Sequence, residues 1–293
     1  MHLESLPADA VEAVLTRHGA EAITLTDAAD EPVLEPPPGE TPLWEQVCIT
    51  GLFPSSADFP ALEKDLLRSL GVARLPDWHV ETLEDRAWER EWLKDFRPMR
   101  FGQRLWVAPG DQPVYADGAL VLRLDPGLAF GTGTHPSTRL CLEWLETLPL
   151  TGLRVLDFGC GSGILSIAAV LLGARSVVAL DIDPQALIAT RSNALKNAVA
   201  DCIETCDDIA STRGEFDIAV ANILAGTLEL NASTICKRLK TGGVLTLAGI
   251  LDHQAAAVAR AYREWIDFDA PAADGEWARL TGTPRDGNVH PMP

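Results

Sequence analysis

The chain has 293 residues, more than one small core requires, so two domains, or three small units, are expected. With 47% hydrophobic and 23% charged residues it can bury a sizeable core, which excludes a mostly disordered protein. Its 24 Lys and Arg stand against 42 Asp and Glu, a net charge of -18, and a protein built to hold nucleic acid needs the opposite, basic footprint.

No apolar run reaches the roughly 20 residues of a bilayer span, so no membrane partner is expected. The start, Met1 to Ser5, has no basic segment leading into an apolar stretch. The cysteines at 48, 141, 160, 202, 206 and 236 form no C-x-x-C pair, and no metal site is expected. Scattered thiols without a leader read as reduced, in a cytoplasmic protein. The charge is uneven: residues 1–100 hold 9 basic and 20 acidic side chains, a net of -11. Residues 101–200 hold 7 and 8, and residues 201–293 hold 8 and 14. The acidic first third reads either as solubility or as a surface for a basic partner.

In chain order, residues 7–18 suit a helix with Val11, Val14 and Leu15 on one face and Gly19 as its stop. Ala22–Thr26 alternates as a strand, and the Pro-rich run at 35–39 is a loop. Trp44–Phe53 reads as a strand, Asp58–Leu70 as a helix and Trp78–Leu83 as a strand. With a short strand before Pro7 this is the split βαβ pattern of a small ferredoxin-like α+β domain, residues 1–83. Residues 84–97 read as a charged linker helix carrying Trp88 and Trp92 four apart on a packing face.

From Leu153 onward short apolar runs alternate with helices: 153–157, helix 162–172, 176–181, helix 184–197, 201–205, 216–221, helix 225–239, 243–249, helix 253–264, then 265–269 and 276–281. That order predicts a doubly wound, mainly parallel sheet with an edge hairpin, in a domain covering 98–283. From Thr283 the chain is rich in Pro, Gly and polar residues, and a loose tail, 284–293, is expected.

The strongest segment is Val155-Leu-Asp-Phe-Gly-Cys-Gly-Ser-Gly-Ile-Leu165, a buried strand, a glycine loop and a helix start. Such a loop lets a ligand approach the backbone at a helix N-terminus. A dinucleotide loop of the form G-x-G-x-x-G would need glycine at 164, which is Ile164. Asp157, two residues before Gly159, can accept a hydrogen bond from an ammonium group. Asp181, 20 residues beyond Gly161 at the end of the next strand, is placed to hold both hydroxyls of a ribose. Asp183 before Pro184 reads as a helix cap. Asn222 ends the fourth strand, facing the same crevice.

The acid, the three alternate glycines, the acid after strand two and the polar residue after strand four resemble the class I S-adenosylmethionine-dependent methyltransferases. The segment Leu124-Asp-Pro-Gly-Leu-Ala-Phe-Gly-Thr-Gly-Thr-His-Pro-Ser-Thr-Arg-Leu-Cys-Leu142, with Ala221-Asn-Ile-Leu-Ala225, resembles one family more closely. This is the PrmA family of ribosomal protein methyltransferases, which modify large-subunit ribosomal protein eleven. The likeness extends to Gly51-Leu-Phe53, Leu83–Trp92 and Pro98-Met-Arg-Phe-Gly102, and so covers most of the chain.

The resemblance implies a seven-stranded Rossmann-like α/β methyltransferase domain after the ferredoxin-like unit and linker helix. It implies S-adenosyl-L-methionine as cofactor and a basic ribosomal protein as substrate, bound through the N-terminal domain; the acidic charge suits such a partner and leaves no direct nucleic-acid contact expected. Cofactor contacts are implied at Phe130, Gly131, Thr138, Asp157, Gly159, Gly161, Asp181 and Asn222, with Asn222 also the catalytic residue that orients the acceptor amine. His135, before Pro136, reads as a cap of the helix 136–148 and not as a base. The residues after Asn222 are Ile223, Leu224 and Ala225, so the aromatic wall of the Asn-Pro-Pro-aromatic methyltransferases is not supplied locally. Rival readings are a methyltransferase for RNA or a small molecule, an NAD-dependent dehydrogenase, and a non-catalytic ribosome-assembly binder.

Overall fold

The structure, a computed structural model, describes residues 1–29, 43–44, 46–83, 97–124 and 133–285. The chain divides into two compact units, Met1–Arg86 and Ala87–Pro293. The expected linker helix, the Pro-rich loop at 35–39 and the tail beyond 285 lie outside the described residues.

In the first unit, α1 (Ala8–Arg17) buries Val11, Val14 and Leu15 and stops at Gly19, whose φ of +84° suits glycine. β1 (Ala22–Asp27) pairs antiparallel with β2 (Val47–Leu52), in register from Ala22 with Leu52 to Asp27 with Val47. α2 (Phe59–Leu70) starts where the Asp58 carboxylate accepts the Ala61 N–H at 3.0 Å, and ends on left-handed Gly71. Leu62 and Leu66 of α2 join Val47, Ile49 and the α1 face in one core. The carboxylate of Asp65 ties the two helices, bonded by Arg17, His18 and Arg68, which hold it well below the usual carboxylate range.

Two expected strands of this unit are reduced. The one before Pro7 is a single bridge of His2 with Cys48, flanked by hydrogen bonds from Leu3 N–H to Val47 O and from Ile49 N–H to Met1 O. Trp78–Leu83 forms no strand. Met1–Leu3 is too short to template a second ladder: on that side the His2 N–H donates to the carbonyl of Asp77, just before the segment, at 3.3 Å, and Val80 and Leu83 stay exposed.

The second unit opens with a small sheet that the sequence reading missed. β3 (Met99–Phe101) pairs antiparallel with β4 (Leu105–Pro109), which pairs in parallel with β5 (Leu120–Leu124). Then follow α3 (Pro136–Thr147), β6 (Arg154–Phe158), α4 (Ile164–Leu171), β7 (Ser176–Leu180), α5 (Pro184–Lys196) and β8 (Ile203–Cys206). β9 (Phe216–Asn222), α6 (Ala225–Cys236), β10 (Leu239–Leu251), α7 (Asp252–Tyr262), β11 (Ile266–Phe268), β12 (Ala272–Asp274) and β13 (Trp277–Pro284) complete it. β13 carries the chain past the expected start of the tail: Arg285 N–H still reaches the Trp265 carbonyl at 2.9 Å.

The main sheet runs β11-β13-β10-β9-β6-β7-β8, seven strands in a path, with short β12 added against β13. The strands from β10 to β8 are parallel, and β13 is antiparallel to both β10 and β11. β6 and β7 are apolar along most of their length because both faces are covered, as parallel strands require. Val155 and Val177 face a core layer with Leu142 and Ile167, while Leu156 and Val178 face Leu228, Ile235 and Val258. From β6 the chain moves outward through β7 and β8, then returns to β9 on the other side. The reversal falls between β6 and β9, where Asp157 lies opposite Val220. An open α/β sheet binds its ligand at such a switch point, beyond the carboxyl ends of the strands.

Candidate active site

Asp157, Asp181 and Asn222 end three of these parallel strands, or directly follow them. Asp157 is buried, and its Oδ2 accepts the Ser166 hydroxyl at 2.6 Å. Burial pushes its carboxyl up to about 6, against the pull of the Ser166 hydroxyl and amide. Its second oxygen, Oδ1, is buried without a hydrogen-bond partner. The Asn222 amide donates to Thr138 Oγ1 at 3.2 Å, and its Oδ1 is likewise buried and unpartnered. Asp181 is half-buried and accepts two backbone N–H groups, from Gly161 at 2.9 Å and Asp183 at 3.0 Å.

The glycine loop lies across β6 and β7: the N–H groups of Gly159 and Cys160 share the Leu180 carbonyl, at 2.8 and 2.9 Å. Gly159 has φ of +85°, and a Cβ there would run into the Ile223 side chain. Only glycine fits that close approach. Asp183 caps α5 through the Gln185 N–H, with Pro184 at the helix start, as expected. His135 caps α3, its Nδ1 accepting the Ser137 N–H at 3.3 Å. Its ring meets Trp277 edge to face at 4.3 Å, and burial lowers its basicity.

The structure thus brings Thr138, Asp157, Gly159, Gly161, Asp181 and Asn222 to one end of the sheet. Phe130 and Gly131 lie outside the described residues. Sequence reasoning missed Ser166, which holds Asp157, and Gly249, which makes room for Asn222. At Gly249 φ is +76°, and a Cβ would come within 3.0 Å of Asn222 Oδ1 and 2.7 Å of the Ile223 carbonyl. The available signal was an isolated glycine inside a strand, the usual mark of a bulge or a close approach. The β10 to β13 register does shift between Leu247 and Ile250.

Two buried carbonyl-type oxygens without donors, a glycine approach that excludes side chains and a carboxylate after the second strand fit a ligand offering an ammonium group and a ribose. With the strand order and the antiparallel end of the sheet, they define a class I S-adenosylmethionine-dependent methyltransferase.

The comparisons narrow the class to a family. The family model described as "Ribosomal protein L11 methyltransferase (PrmA)" matches residues 1–285. A ribosomal protein L11 methyltransferase of Methylococcus capsulatus is 50% identical over 283 residues, 96% of each chain. One of Chromohalobacter salexigens is 49% identical over 289 residues, again 96% of each. The crystal structure of a ribosomal protein L11 methylase from Lactobacillus delbrueckii subsp. bulgaricus aligns with a TM-score of 0.61 at 32% identity, covering 65% of this chain and all of that one. The chain belongs to the ribosomal protein L11 methyltransferase (PrmA) family.

Proposed function

We propose that this enzyme methylates amino groups of ribosomal protein L11, lysine side chains, the N-terminal amine or both, and that Asn222 orients the acceptor nitrogen. The observation that carries the reading is the pair of unpartnered buried oxygens, Asp157 Oδ1 and Asn222 Oδ1, on either side of the switch point. Bound S-adenosylmethionine would supply an electrophilic methyl group on a sulfonium.

Asp157 would take the ammonium of the cofactor's methionine end, and Asp181 its ribose hydroxyls. Gly159 and Gly161 let it lie against the backbone, and Thr138, Phe130 and Gly131 carry over as contacts from the family resemblance. A lysine has a reference pKa of about 10.4 and an α-amine about 7.7–8.0, so the acceptor must shed its proton before it can attack. The protein's part is to strip water from the amine and align its lone pair, for which a fixed side-chain carbonyl at Asn222 is suited.

The first hundred residues, with a net charge of -11, are proposed as an electrostatic dock for the basic substrate protein. Among the described residues no helix is long and apolar enough to cross a membrane. Mass spectrometry of purified L11 after incubation with the enzyme and S-adenosylmethionine tests the reading. Methyl increments on lysine or N-terminal peptides are expected; unmodified L11 beside active cofactor binding would reject it. Calorimetry with S-adenosylmethionine against NAD separates it from a dehydrogenase.

A further inference from the structure

Helix α5 grips the glycine loop with side chains that no cofactor contact explains. Thr190 and Asn193, three residues apart, share one face of α5 and are buried. The Thr190 hydroxyl donates to the Gly161 carbonyl at 3.0 Å, and the Asn193 amide donates to the Ser162 carbonyl at 2.9 Å. Thr190 Oγ1 also lies 3.3 Å from Cys160 Sγ. The hydroxyl has one proton, which goes to the carbonyl, the stronger acceptor and the nearer one. The Cys160 thiol, kept protonated by burial, can then donate to the hydroxyl oxygen. At Gly163 a Cβ would come within 2.9 Å of both Thr190 Cγ2 and Thr190 Oγ1, so the helix sits as near to the loop as the chain permits.

Gly161 is therefore held from both sides. Its N–H is fixed by Asp181, just before α5, and its carbonyl by Thr190, in the middle of α5. Because the peptide is planar and trans, fixing the 161 and 162 carbonyls fixes the planes of the next two peptides and the path of the loop. A threonine and an asparagine buried inside a helix are costly unless their polar atoms are used. Here both are spent on the loop.

Building on the cofactor reading above, we infer that Thr190 and Asn193 are positioning residues that hold the glycine loop in the shape that receives S-adenosylmethionine. They touch no reacting atom, so their effect falls on cofactor affinity and not on the chemical step. The test is calorimetric titration of S-adenosylmethionine, with melting curves, on wild type, Thr190→Val and Thr190→Ser.

Valine keeps the methyl that packs on Gly163 and removes the hydroxyl; serine keeps the hydroxyl. The expected result is a Kd about tenfold weaker for Thr190→Val and near wild type for Thr190→Ser. KM for the cofactor should rise in Thr190→Val, with kcat and KM for the protein substrate unchanged. Thr190→Val binding as tightly as wild type would overturn the inference, as would both variants losing affinity in proportion to a fall in melting temperature. Wild type that binds no S-adenosylmethionine would overturn the cofactor reading and this inference with it.

Discussion

The side-chain amide of Asn222 donates to the hydroxyl of Thr138 at 3.2 Å, across 84 residues of chain. This bond fixes which way the amide lies, with its nitrogen on α3 and its oxygen buried and unpartnered beside Gly249. An oxygen held in that way is ready to accept from an amine. Asn222→Ala is expected to keep the fold, to weaken the cofactor contact implied there, and to lower kcat by about a hundredfold, the scale of a misplaced reacting group. Turnover assays beside calorimetry check this, and unchanged kcat would remove Asn222 from the mechanism.

Asp157 sets a pH dependence. Its folded carboxyl titrates near 6, above the ordinary 3.8, because burial penalises the charge. The neutral acid is the form the buried site favours, so this group stabilises the fold below pH 3.8 and loses that contribution as pH rises through about 6. Cofactor binding runs the other way, since an ammonium partner needs the carboxylate. Affinity for S-adenosylmethionine should fall about tenfold per pH unit below that point, and Asp157→Asn should flatten the profile at a weaker value. Calorimetric titrations from roughly pH 5 to 8, which bracket the folded carboxyl's value of about 6, measure both.

Gly249 is needed for geometry as well as room. Gly249→Ala would place a side chain at φ of +76° and within 2.7 Å of the Ile223 carbonyl. Strain of this kind costs about 1–3 kcal/mol, several degrees of melting temperature in a domain of this size. Activity should fall further than stability explains, because the displaced segment carries Asn222. A variant with normal melting and normal turnover would contradict this.

The acidic first unit should reveal itself through salt. Exposed charges are screened over about 10 Å at 0.1 M ionic strength. KM for L11 is therefore expected to rise steeply between low and moderate salt, while KM for the cofactor changes little. Salt-independent binding of L11 would return the charge to solubility alone.

The parts of the site legible in the sequence were those at strand ends. Asp157, Asp181 and Asn222 each follow an apolar run too regular to mistake, and Gly159 and Gly161 stand in an open motif. The supports of the site were hidden because their local signals are ordinary. Thr190 and Asn193 look like surface residues in a helix whose periodicity is weak, and Gly249 is lost in the long run of β10. β3 to β5 escaped because three to five residues leave no period to read. Trp78–Leu83 was the opposite error: its composition suits a strand, but too short a neighbour offers it a ladder. Thr138 entered only through resemblance, and what the structure adds is its bond to Asn222.

The most direct test is transfer of a radiolabelled methyl group from S-adenosylmethionine to purified ribosomal protein L11. Label should enter L11 with the wild-type enzyme and be nearly lost with Asn222→Ala. A wild-type protein that binds S-adenosylmethionine yet leaves L11 unlabelled would contradict the account.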